Sequence, residues 1–130
     1  MQQPTLCERI IKLDRNIRFV GVVSGRGEVI EGGFQEGIQP LLDGIDEQQM
    51  YVQSLANMTA LRQYADRLGK VRYSLTEHEK VTLFTFPLGD GILCLSASSK
   101  ADPIKIRDKV IRFIKDKPGN RGKIRKQAKG

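Results

Sequence analysis

With 130 residues, 39% hydrophobic and 28% charged, the chain has room for one ordinary globular domain with one core, and this make-up is far from the disordered and membrane classes. Its formal charge of +7 is concentrated at one end: KPGNRGKIRKQAKG, from Lys117 onward, holds six of the 22 basic residues and no acid. Residues 1–116 keep 16 basic and 15 acidic side chains, so the reading is a near-neutral domain followed by a basic tail, residues 117–130, expected to be disordered.

No apolar run is long enough for a spanning helix, and the N-terminal stretch MQQPTLCERIIKLDRN puts charges through what would be a signal core, so a cytoplasmic location is expected. Thr5-x-x-Glu8 has the form of a capping box, and Leu6, Ile10 and Leu13 then recur at helical spacing, which predicts a helix from about Thr5 to near Asn16. IRFVGVVS is β-branched and apolar on both faces, as a central strand covered on each side would be. Gly25, Arg26 and Gly27 interrupt it and EVIEGGF resumes in extended style, which predicts a hairpin.

Residues 35 to 45 read as a connector. The long helix follows: Asp46 with Gln49 marks its start, Gly69 suits its C-terminal cap, and no Gly or Pro lies between. Tyr51, Leu55, Met58 and Ala65 form its apolar stripe, widened by Val52, Leu61 and Leu68, which is more than one partner surface requires. KVRYSLTE alternates, with Val71, Tyr73 and Leu75 on one side and polar residues on the other, so an edge strand is expected there. VTLFTF and ILCLSAS complete a three-strand meander. Asp102-Pro103 then opens a helix whose apolar face is Ile106, Val110, Phe113 and Ile114, and Pro118-Gly119 is expected to end it.

VVSGRGEVIEGGF invites comparison with a phosphate-binding loop. Such loops lead from a strand into a helix whose first amides face the anion, whereas this one leads into another strand and matches neither GxGxxG nor GxxxxGK[ST]. A hairpin turn is the stronger reading, with anion binding the alternative. His78, the single histidine, lies between Glu77 and Glu79, and neighbours in a turn rarely converge on one ion. Ser24 lacks the glycines of a nucleophile elbow, and no carboxylate pair stands out. The residues thus predict no catalytic centre, no metal site and no cofactor. Cys7 and Cys94 read as free thiols, a distant disulfide being the alternative.

The order helix, hairpin, long helix, three-strand meander, helix, together with IRFVGVVSGRGEVIEGG, LGKVRY and KVTLFTFPLGDGILCLSAS, resembles a roadblock-type domain, the family of dynein light chains and small-GTPase regulators, and within it small archaeal proteins without assigned function. The resemblance covers about residues 5 to 116. It implies an α+β fold: a five-stranded antiparallel sheet of profilin-like architecture, with the long helix on one face and the N- and C-terminal helices on the other. It also implies a homodimer joined through residues 46–68 and 70–77. Tyr51, Leu55, Met58, Leu61, Val71, Tyr73 and Leu75 are then the candidate dimer or partner interface.

Three functions compete at this point. The first is a non-catalytic dimeric scaffold or regulator that binds protein, a small GTPase being the partner class the resemblance suggests. The second is a nucleic-acid or anionic-surface binder acting through Lys117, Arg121, Lys123, Arg125, Lys126 and Lys129, without an aromatic residue for base stacking. The third is a small-molecule sensor of PAS or GAF type with a pocket between sheet and helix.

Overall fold

The computed structural model describes residues 3–116, so the expectations for the tail and for Pro118-Gly119 lie outside the described residues. The elements are α1 (Leu6–Ile11), β1 (Ile17–Val23), β2 (Val29–Phe34), α2 (Gly44–Arg62), α3 (Ala65–Leu68), β3 (Ser74–Glu77), β4 (Val81–Leu88), β5 (Gly91–Ser98) and α4 (Pro103–Asp116). The five strands form one antiparallel sheet in the order β2-β1-β5-β4-β3. The α+β class, the element order and the open antiparallel sheet are those expected from the sequence.

Alternation along the strands divides the apolar side chains between two layers. On one face Val20, Leu93, Leu95, Phe84 and Phe86 pack with Cys7 and Ile10 of α1 and Ile106 and Val110 of α4. On the other, Phe19, Val23, Ile92 and Cys94 pack with Tyr51 and Met58 of α2. The two central strands, β1 and β5, therefore carry apolar residues on both sides, as a strand covered on each face must.

Local chemistry explains where elements begin and end. The Thr5 side chain accepts the amide of Glu8, as the capping pattern predicts, yet α1 stops at Ile11. Asp14 accepts the Asn16 amide at 2.8 Å, a side-chain turn that leads the chain into β1. The cap of α2 is Asp43, whose carboxylate accepts the Asp46 amide at 2.8 Å, so the helix begins three residues before the expected start. It also ends earlier. Gln63 and Tyr64 donate to Ala60 and Leu61, the tighter three-residue bonding of a helix terminus, and α3 is a separate turn of helix up to Gly69.

The predicted strand over residues 70–77 is paired only from Ser74 to Glu77, opposite Thr85 to Thr82. Continuing that register would set Arg72 opposite Pro87, which has no N–H to give a ladder. The Gly25–Gly27 loop is a hairpin turn: the Ser24 amide donates to Glu28, the Ser24 hydroxyl accepts the amides of Arg26 and Glu28, and Gly27 sits at φ 88°.

Candidate functional site

Helix α2 rests on one face of the sheet, and its inward stripe of Tyr51, Leu55 and Met58 is committed to that contact. Tyr51 and Met58 are buried and Leu55 is half-buried. The Tyr51 hydroxyl donates to the Glu47 carboxylate, and burial together with that carboxylate raises its pKa, so it stays neutral. Leu61 lies one turn beyond Met58, 39% exposed, followed by Tyr64 at 56% and Leu68 at 82%. Of the candidate stripe, then, Tyr51 and Met58 belong to the core of the single chain, whereas Leu61 faces outward.

The edge residues divide differently from the sequence reading. Val71 packs into the α2 layer beside Leu55, while Tyr73 and Leu75 pack into the opposite layer. The three do not share a face, because regular alternation starts only at Ser74, where pairing begins. Tyr73 is held by Arg107 of α4, which donates to its hydroxyl at 2.9 Å with the guanidinium carbon 5.2 Å from the ring centroid.

Between α2, the loop over residues 38–43 and the α2-side face of β1, β5 and β4 lies a cleft of about 490 Å³. Phe19, Met50, Tyr51 and Leu83 line it, Leu41 and Leu42 stand along it, and Arg18 and Lys80 are among its few charged members. Arg18 is anchored by its bond to the Gln39 carbonyl at 3.1 Å. The cleft exists because α2 crosses β5 and β4 and leaves the part of the sheet toward β3 uncovered, with Leu83 and Thr85 half-buried beneath. β3 ends the sheet, so its outer backbone groups have no strand partner within the chain.

Sequence reasoning missed Leu41, Leu42, Ile45 and Tyr64 as exposed apolar residues. The signal available was their position in or beside connector and helix end, where no inward stripe could absorb them. Glu77, His78 and Glu79 form the exposed β3–β4 turn. Among the described residues, no three metal-ligating side chains come together, and no helix is long and apolar enough to cross a membrane.

The geometry matches known structures. The chain superimposes on a Roadblock/LC7 domain from Streptomyces avermitilis with a TM-score of 0.64 at 16% identity, covering 85% of this chain and 92% of that one. MglB of Myxococcus xanthus gives 0.57 at 18% identity, covering 85% and 93%. The gliding protein MglB of Thermus thermophilus gives 0.60 at 17% identity, covering 86% and 87%. No curated protein matches the chain. These likenesses fix the fold as roadblock-type, and a family model matches residues 3–121: the chain belongs to DUF6659, a family of unknown function.

Proposed function

We propose that the chain is a non-catalytic, homodimeric protein-binding scaffold or regulator of the cytoplasm, with a small GTPase as the partner class. The observation that carries this is an exposed apolar set at the end of α2 and after it, Leu61, Tyr64 and Leu68, together with an edge strand, β3, whose outer backbone groups have no strand partner within the chain. An open strand edge and exposed apolar side chains are both features that a second chain would cover. The roadblock-type fold supports the reading, because the interface its resemblance implies uses the long helix and this strand.

Light scattering at tens of micromolar protein tests it. The expected mass is twice 14.6 kDa, and Leu61→Glu with Leu68→Glu should raise the monomer fraction without changing the fold, since both side chains are exposed in the single chain. A monomer mass for the unaltered protein overturns the proposal.

A second reading, the small-molecule sensor, is favoured by the cleft, whose volume of about 490 Å³ falls within the range of ligand pockets. A saturable rise in melting temperature with an apolar ligand, removed by Leu83→Arg, would support it. Residues 117–130 we take as a separate basic appendage that adds weak, salt-sensitive polyanion binding, tested by deleting them.

A further inference from the structure

We infer that the outer face of α1 and α4 is a docking surface for an anionic lipid bilayer, on the side of the sheet opposite the α2 flank. The near-neutral domain is electrically lopsided. Residues 8–15 and 102–116, which contain most of α1 and all of α4, hold eight Lys or Arg against five Asp or Glu, whereas residues 16–101 hold eight against ten. These two segments therefore carry a net +3 and the rest of the domain a net −2, although the Glu31 carboxylate of β2 also lies on this side, where it accepts the Cys7 amide.

The fold assembles these cations into one surface. Both helices pack on the same face of the sheet, and Lys109 of α4 donates to Asp14, just after α1, at 2.8 Å. Two ion pairs, Lys109–Asp14 and Arg107–Asp108, lie here and neutralise two of the local carboxylates. Arg9, Lys12, Arg15, Lys105, Arg112 and Lys115 belong to neither pair and are all exposed. Six such cations are within the range that draws a protein to a negatively charged leaflet.

Shape and composition favour a bilayer over nucleic acid. Two helices side by side on a sheet make a broad layer, and the cleft of about 490 Å³ opens on the other side. Phe113 is the aromatic residue of α1 and α4, and Tyr73 lies beside them under Arg107; both rings are half-buried in the core layer, which leaves no exposed ring for a base to stack on. Ile104, in the first turn of α4 and 46% exposed, adds an apolar contact at the level of the cations, the mixture found on interfacial surfaces. Residues 117–130 follow α4 directly in sequence and bring six more cations, so the test must separate the two sources.

The experiment is co-sedimentation of the full chain with vesicles of phosphatidylcholine alone and of phosphatidylcholine with phosphatidylserine, beside a duplex DNA arm. The unaltered protein should bind the phosphatidylserine vesicles, release with added salt, and ignore the neutral ones. Lys12→Gln, Arg15→Gln, Lys105→Gln and Arg112→Gln together should weaken partitioning by several hundred-fold, about fivefold for each charge near the membrane. The pair Lys12→Gln and Lys105→Gln, expected to give about 25-fold on the same basis, serves if the quadruple variant does not fold. Binding unchanged in these variants would place the whole effect in residues 117–130 and overturn the inference. So would binding to duplex DNA with none to phosphatidylserine vesicles. The result does not depend on oligomeric state: the Leu61→Glu, Leu68→Glu protein leaves this face intact, so loss of dimer and loss of lipid binding are read separately.

Discussion

The ring of Phe19 on β1 stacks on that of Tyr51 on α2 with centroids 5.6 Å apart, and the same ring lies so close to the sheet that a Cβ on Gly21 would stand 2.8 Å from its Cζ. The helix is seated on the sheet through this aromatic pair, and Gly21 supplies the clearance. Gly21→Ala should therefore destabilise by about 1 to 3 kcal/mol through overpacking, seen as a lower urea midpoint. Gly33→Ala is the control: the nearest atom to its added methyl is at 3.9 Å, and it should stay within about 0.5 kcal/mol of the unaltered protein. Equal effects at the two glycines would mean that strand propensity, not the Phe19 ring, sets the cost.

How much of this was legible beforehand depends on whether a signal is local. The Thr5 and Asp102 caps and the Ser24 hairpin act within a few residues, and each forms as its sequence pattern indicates. The two-sided burial of β1 and β5 was legible too, because continuous apolar strands have no solvent face. The long helix was placed correctly but not its ends, since Asp43 and Asp46 are both plausible caps and the chain chose the earlier one. Least visible was the split of Val71 from Tyr73 and Leu75: alternation predicts one face only where strand pairing continues, and pairing stops at Ser74. A pocket between sheet and helix was one of the readings, but the residues that line the cleft and those that form the cationic face were not legible, being brought together from distant parts of the sequence, as Asp14 and Lys109 are.

The Asp14–Lys109 pair gives a pH dependence. Burial pushes the Asp14 carboxyl up, but the Lys109 ammonium and the Asn16 amide outweigh it and hold the group below its ordinary value of 3.8. A carboxyl with a depressed folded pKa contributes stability that is fully present above its unfolded pKa and is lost as the pH falls through the folded one. Asp14→Asn should then cost about 0.2 to 1 kcal/mol at neutral pH, and its stability curve should converge with that of the unaltered protein below about pH 4. Urea titrations across that window check it. Parallel curves down to pH 2 would mean that the pair has no role in acid unfolding.

The two thiols should be silent in the native state. Cys7 and Cys94 are both buried, and they sit in the separate layers on opposite faces of the sheet, so they are free and cannot bridge within one chain. Burial pushes the Cys94 thiol up to about 12, and burial assisted by the Glu31 carboxylate does the same to Cys7. At pH 8 the reactive thiolate is thus on the order of one part in ten thousand at each position. A disulfide-exchange reagent such as Ellman's should then modify neither residue in the folded protein and both after addition of guanidinium, with the native rate set by transient opening and not by reagent access. Gly21→Ala should speed that rate about tenfold for each 1.4 kcal/mol of stability lost, provided reclosing outpaces modification. Prompt labelling of one equivalent in native buffer would show that one of the two layers opens readily, and mass mapping of the adduct would identify whether it is the α1–α4 layer or the α2 layer.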